Sequence, residues 1–399
     1  MAKLAPFNGV RFGITGDISG FLAPPYDVID DKEHAVLCKT NPANIIHLTL
    51  GAPGQKQRDY RAIGSRLQKW LREGVLQRET DKSFYAYCHE YSIDGQRMKF
   101  WGLFALLKLN EFGKGPVYPH EQIHQGPVDD RYHIMESTRA NLEPIMALYR
   151  APNDPMNMLY AGLEGLTPVS MALLSNGTRH RMWKLSMPHT RTRIQKMLGK
   201  LPLFIADGHH RYNSALIYRR AHARMKGADY MMALIGNTEQ KGMRILPINR
   251  LIYSVTPVSS DLPRDMARFG RIEKLGRKFN KSLLQIPKNA LGFYNRKAGS
   301  WLVHLPPLPV KTAPRETLEV TRLHDILPQV IPVKETVYTK KAAEDIGAVA
   351  KNPSILACFL PPLASSTICA VAFGNQFLPQ KSTFFQPKPQ SGMVLRLIE

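Results

Sequence analysis

The chain has 399 residues, 44% of them hydrophobic, and 54 Lys plus Arg against 32 Asp plus Glu give it a formal charge of +22. That balance excludes a disordered tail, a collagen or a mini-protein, and the length predicts two or three folding units, each burying a core. The four cysteines, Cys38, Cys88, Cys358 and Cys369, lie far apart among apolar neighbours, which suits small buried hydrophobes in a reducing compartment and not a disulfide framework. The opening residues lack the apolar centre of a signal peptide, and no stretch approaches the ~18 apolar residues of a membrane span. The expectation is a cytoplasmic protein with no membrane partner. The positive charge attracts polyanions at long range, but the basic residues fall in short scattered groups such as Arg191 to Lys200 and Arg271 to Lys281. Nucleic acid is therefore a possible partner and not the favoured one.

Along the chain, Ala23-Pro24-Pro25-Tyr26-Asp27 predicts a fixed extended turn, because each proline restricts itself and its predecessor. Gln55 to Gly74 has helical spacing, with Tyr60, Ile63, Leu67, Trp70 and Leu71 on one face. Ser83 to Tyr91 alternates as a strand, and Asp94-Gly95 turns it into the apolar Met98 to Leu109. Further strands are predicted at 144–149, 181–185, 230–235, 244–253, 301–305, 355–360 and 368–373, and helices at 191–198, 210–226, 318–327 and 340–349. Strands and helices mix without a regular alternation, so the expected class is α+β. Composition breaks near Pro152 to Pro155 and Thr256 to Asp261 divide the chain into regions 1–150, 151–255 and 256–399, which share one core or fold separately.

One segment concentrates chemistry. Leu201 to Ala206 reads as a buried strand, Asp207-Gly208-His209-His210-Arg211 as a sharp turn, and Tyr212 to Leu216 as a helix. The first amides of that helix and its dipole favour an anion, and Arg211 adds a planar fork of donors. Asp207 suits Mg2+ or a proton from a nucleophilic hydroxyl. The alternative is that Asp207 only caps the helix.

The chain resembles, nearly end to end, the prokaryotic domain-of-unknown-function family 1015. The matching motifs are Ala23 to Asp27, Pro119-His120-Glu121, Asp130-Arg131, the DGHHR segment, Leu246-Pro247 with Arg250-Leu251, and Pro379 to Thr383. Asn249 departs from the histidine of the family pattern, which puts a role for that position in doubt. The DGHHR turn also resembles the phosphate-binding turn of the ParB/sulfiredoxin superfamily, including its free serine kinases. The resemblance implies a mixed-sheet core of that type with additional N- and C-terminal α+β parts. It further implies a phosphotransferase that moves a phosphoryl group between ADP or ATP, with Mg2+, and a small hydroxylated metabolite such as L-serine. On this reading Asp207 (also the Mg2+ ligand), His209, Glu121 and Asp27 are the catalytic candidates, the last two competing as general base. Gly208, His209, His210 and Arg211 bind phosphate, joined by Lys381, Ser382 and Thr383, while His120, Asp130, Arg131 and Arg250 bind substrate. The alternative from the same resemblance is a nucleotide-binding switch or DNA-associated module without phosphotransfer.

Two other motifs compete. His120-Glu121-Gln122-Ile123-His124 matches the HExxH pattern of zinc hydrolases, but Pro119 and Gly126-Pro127 argue against a long helix around it. Lys381-Ser382-Thr383 ends like a P-loop, yet Gln380 and Asn375 stand where glycines are required.

Overall fold

The computed structural model describes residues 2–55, 57–93, 95–121, 125–309, 311–339 and 342–399, the backbone alone for 342–344. The chain is α+β and divides into two compact units, Met1–Arg244 with Pro387–Glu399, and Ile245–Gln386.

The first unit is built on a nine-stranded mixed sheet. Its order is Val117–Tyr118, Leu203–Asp207, Ile145–Tyr149, Tyr230–Asn237, Gln96–Lys108, Phe84–Ile93, Arg179–Leu185 and Ser170–Leu173, with Leu4–Ala5 added along Gln96–Lys108. Phe84 to Cys88 are all fully buried, so both faces of the sheet are covered and the strand is a continuous apolar run. On one face Ala86, Cys88, Leu103, Ala105 and Ala147 pack against Ile194, Leu198, Tyr212 and Leu216 from helices Pro188–Leu198 and His209–Ala221. A smaller sheet joins Leu76–Arg78, Gly9–Phe12, Leu395–Leu397 and Ala140–Asn141. The chain's last residues are thus tied into the unit that holds its first, and Arg396, buried, donates to Asn141 Oδ1 at 3.1 Å and to the Gly227 carbonyl at 2.6 Å.

The second unit has a six-stranded sheet, ordered Arg271–Gly276, Gly299–His304, Ala290–Asn295, Ile355–Phe359, Asn249–Ser254 and Val333–Thr339, with each neighbouring pair antiparallel. Its core includes Leu251, Leu283, Ala290, Tyr294, Leu302, Val349 and Phe359.

Several expectations change. Residues 368–373 are not a strand but the end of helix Ser365–Phe373; an all-apolar run carries no period to separate the two, and the serines that open it lie just past Pro361-Pro362. The predicted strand 244–253 is two strands, Arg244–Leu246 and Asn249–Ser254, because Pro247 lacks the N–H that continues a ladder. Helix Gln125–Thr138 starts directly after the HExxH segment despite Gly126-Pro127, since proline in a first turn removes no helical hydrogen bond. The 55–74 helix is trimmed to Tyr60–Arg72, where Asp59 Oδ1 accepts from Ala62 N–H at 2.9 Å. The strands flanking the expected Asp94-Gly95 turn pair with Ile93 opposite Gln96, while Asp94 itself lies outside the described residues.

Candidate functional site

Strand register gathers the site at one end of the first unit's sheet. Leu203–Asp207 runs parallel to Val117–Tyr118, with Phe204 opposite Tyr118, so Pro119-His120-Glu121 emerge beside Ile205 to Asp207. It runs antiparallel to Ile145–Tyr149, which places Glu143 and Pro144 at the same end. Gly208 then turns the chain with φ 90° and ψ 31°, a left-handed conformation that favours glycine, and helix His209–Ala221 begins. A Cβ at Gly208 would lie 3.0 Å from both Arg211 Nε and Ile145 Cγ2, so the turn needs glycine for space as well.

The residue ahead of this helix, Gly208, has no side chain with which to cap it. Its first internal hydrogen bond runs from Tyr212 N–H to the Gly208 carbonyl at 2.9 Å, so the amides of His209, His210 and Arg211 precede the helical ladder. Asp207 accepts from Arg211 Nη2 at 2.6 Å and from Lys388 Nζ. Arg211 also donates to the Pro144 carbonyl. The guanidinium is buried, and the Asp207, Glu143 and Asp27 carboxylates hold its pKa above the ordinary value against the cost of desolvation.

Lys388 belongs to the C-terminal segment that returns to this unit. Its Nζ lies 2.9 Å from Asp27 Oδ2 while bonding Asp207. The return is pinned by a bridge between Ala23 and Ser391, with Ser391 N–H donating to the Ala23 carbonyl at 2.8 Å. Glu143 ties the same turn from below. Its Oε1 accepts from Tyr26 N–H at 3.1 Å and from Ser391 Oγ at 2.7 Å. The Arg131 guanidinium stacks on the Tyr26 ring, 3.9 Å from its centroid, and lies 3.6 Å from Glu143. Asp130 accepts from Arg131 Nε at 2.9 Å, Arg58 Nη1 at 3.0 Å and Tyr60 OH at 3.0 Å. A cavity of about 30 Å³ lies among Arg131, Glu143 and Arg211.

His209 and His120 form the other half. The backbone N–H of His120 donates to His209 Nε2 at 3.3 Å, which leaves the proton of the neutral ring on Nδ1, 3.9 Å from Glu121 Oε2. The two rings meet edge to face, 4.7 Å between centroids. Burial drives both imidazoles toward the neutral form, His120 down to about 4 and His209 well below its ordinary value. Asp27, Glu121, Asp207, Gly208 and His210 are partly exposed and form the rim, whereas His120, His209, Arg131 and Arg211 lie behind it.

The remaining candidates fall in the second unit. Arg250, 1% exposed, donates to the carbonyls of Ile248, Gln380 (3.4 Å) and Lys381 (3.2 Å), and Ser382 Oγ donates to the Pro379 carbonyl. Lys381 is exposed and has φ 53°, while Thr383 is buried. His124, needed for the zinc pattern, lies outside the described residues with Gln122 and Ile123, and among the described residues no group of three or more His, Cys, Asp or Glu side chains is arranged to hold a metal. The residues present do not fit Mg2+ at Asp207 either, because both of its oxygens accept from cationic side chains. No helix among the described residues is long and apolar enough to cross a membrane. Tyr26, Glu143 and Lys388 were not among the residues the sequence singled out for the site. Tyr26 carried a signal as a member of the Ala23 to Asp27 motif, and Lys388 lies five residues past the Pro379 to Thr383 motif.

A strand, a glycine turn and a helix, with the DGHHR residues at their junction, define the class. The chain belongs to the family described as protein of unknown function (DUF1015), whose model matches residues 4–325. No curated protein matches it. Among solved structures it is similar to SbnI with a C-terminal truncation from Staphylococcus aureus, at 11% identity over 72% of this chain and 85% of that one, TM-score 0.39. It is similar to a free serine kinase in complex with AMP, at 11% identity over 71% and 88%, TM-score 0.36. It is also similar to a conserved hypothetical protein from Pyrococcus furiosus, at 12% identity over 69% and 88%, TM-score 0.33.

Proposed function

We propose that the protein is a phosphotransferase that moves a phosphoryl group between a nucleotide, ADP or ATP, and the hydroxyl of a small metabolite such as L-serine. The observation that carries this reading is the junction at Gly208, where three amides ahead of the helical ladder stand beside a carboxylate held between Arg211 and Lys388. Helix-start amides and fixed cations stabilise the charge of a transferring phosphoryl group, and phosphoryl transfer asks the protein for little else but a base and positioning. The resemblance of the Asp-Gly-His turn to that of the free serine kinases supports the choice of nucleotide and acceptor.

In the forward step the acceptor O–H bond breaks and its proton goes to a carboxylate. The hydroxyl oxygen bonds the terminal phosphorus, and the bond to the departing nucleotide breaks with its electron pair on that oxygen. Glu121 is the general base in this scheme. Its Oε2 lies 3.9 Å from the neutral imidazole of His209, which can help position it, and Asp27 is engaged by the Lys388 ammonium. His210 and the Gly208 to Arg211 backbone receive the phosphates. Arg131, with Asp130 and His120 behind the rim, orients the Tyr26-Asp27 turn and the acceptor.

Purified protein incubated with L-serine, Mg2+ and ADP or ATP is expected to form phosphoserine, and Glu121→Gln to slow it about a hundredfold or more. Absence of product with either nucleotide, in both directions, removes serine kinase as the activity. Salt-dependent DNA binding without turnover would instead favour the nucleotide-switch or DNA-associated module.

A further inference from the structure

Asp27 and Asp207 sit 180 positions apart in sequence and converge on one point, each with a single oxygen, and at that point lies an ammonium group. Two carboxylates from separate segments meeting around a small hard charge is how proteins commonly hold Mg2+ or Mn2+. Here the charge is covalently part of the chain. We propose that Lys388 is the resident cation of this site, standing between Asp27 and Asp207 in the place a divalent metal would take, so that the protein holds no metal ion of its own there.

Charge balance supports the assignment. Asp27 and Asp207 carry two negative charges, and Lys388 and Arg211 return two positive ones. A dication added at the same point would face both cations across a few ångströms, in a setting where Lys388 has only 11% of its side chain exposed and water screens little. The lysine is also held in place. The Ala23–Ser391 bridge and the Ser391 hydroxyl on Glu143 anchor the backbone three residues downstream. The two carboxylates keep the ammonium charged despite burial, shifting its pKa upward. Lys388 therefore does what a structural ion does: it neutralises two acids and ties the Tyr26-Asp27 turn to the strand–helix junction. A phosphate arriving at the rim meets a fixed positive charge, and any Mg2+ it needs travels on the nucleotide.

The inference concerns the same site as the phosphotransfer reading and rests on it only for the identity of the arriving ligand. Its test reads cation binding without turnover, so either can fail alone. Mn2+ titration of the full chain, followed by electron paramagnetic resonance, is expected to give coincident isotherms for the wild type and Asp207→Asn. Lys388→Met removes the ammonium and is expected to gain a saturable Mn2+ site at least about tenfold tighter than any in the wild type. That site should vanish in Lys388→Met/Asp207→Asn. A wild-type Mn2+ site lost in Asp207→Asn overturns the proposal, as does a folded Lys388→Met that gains none. Should Lys388→Met not fold, Asp27→Asn decides: an isotherm equal to wild type upholds the lysine as sole cation, and loss of a wild-type Mn2+ site refutes it.

Discussion

Two buried arginines, Arg211 in the first unit and Arg250 in the second, are stabilised in opposite ways. In the first, Arg211 is paired with Asp207 and faces Glu143 and Asp27, which keep its charge bound firmly. In the second, Arg250 is surrounded by backbone carbonyls and the Tyr338 ring, 5.4 Å away, and no carboxylate among the described residues pairs with it. Burial accordingly lowers its pKa to about 10. A guanidinium among carbonyls is a strut, fixing the Pro379 to Thr383 loop to strand Asn249–Ser254. A guanidinium among carboxylates is one member of a balanced charge set, and such a set can rearrange when an anion arrives. That contrast, more than the motif, is why the proposed phosphate chemistry is assigned to the surroundings of Arg211.

Removing each arginine is the strongest way to break the comparison. Arg211→Met strands the Asp207 carboxylate with one cation in place of two, and breaking a buried pair this way costs about 3–5 kcal/mol. Much of that loss should return in Arg211→Met/Asp207→Asn, because the uncompensated charge goes with it. Arg250→Met leaves carbonyls short of a donor and no stranded charge, so about 1–3 kcal/mol is expected and no second substitution of an acid rescues it. Urea unfolding of these three variants, and of Arg250→Met combined with a neighbouring acid-to-amide change, measures all of this. Equal rescue at both arginines would erase the distinction.

Protons probe the same difference. In the first unit His120 and His180 are pushed down to about 4 and His89 and His209 well below their ordinary value, chiefly through burial, whereas in the second only half-buried His324 is shifted down among the described residues. A histidine whose folded pKa is depressed binds fewer protons folded than unfolded below pH 6.5, so stability is retained above 6.5 and lost as pH falls toward 4. His120 and His180, whose values fall to about 4, each contribute about 3 kcal/mol over that window. Hydrogen exchange should show Phe84–Ile93 losing protection between pH 6 and 4 before Ala290–Asn295 does. His180→Phe, which also removes the Tyr87 hydroxyl's 2.7 Å partner, should flatten the first unit's acid slope by about one proton. Simultaneous loss in both strands would contradict the assignment of acid sensitivity to these rings.

What the sequence made legible follows from how local the cause is. The strand, turn and helix around Asp207 to Arg211 are contiguous, so a glycine, a change of period and a cluster of polar side chains are enough to read them. Pro119 to Glu121 were legible as a motif, but their place beside Asp207 depends on a parallel pairing that no local pattern encodes. Lys388 lies just past the Pro379 to Thr383 motif; its place at the site depends on the Ala23–Ser391 bridge, between residues far apart in the chain. Helix Gln125–Thr138, which supplies Arg131, escaped because its buried positions Val128, Arg131, Ile134, Met135 and Thr138 include a charged and a polar residue, blurring the apolar stripe. The exchange of strand for helix at Ser365–Phe373 has the opposite cause, a run too uniformly apolar to show a period.

The smallest effect is the sharpest on geometry. Gly208 and Gly177 both have left-handed backbones, φ 90° and 79°, so alanine at either pays the same backbone strain of about 1–2 kcal/mol. Their surroundings differ. A Cβ on Gly177 meets nothing within 4 Å, while one on Gly208 comes within 3.0 Å of Arg211 Nε and Ile145 Cγ2. Arg211 is the neighbour able to move, and moving it draws its Nη2 from Asp207. Gly208→Ala should therefore lose more stability than Gly177→Ala by about 1 kcal/mol, and that excess should shrink in an Arg211→Met background, where no guanidinium is displaced. Thermal or urea unfolding of the two alanines in both backgrounds gives the coupling directly. If the excess survives the loss of Arg211, the constraint comes from Ile145 and packing, and the glycine is not there to seat the arginine on its carboxylate.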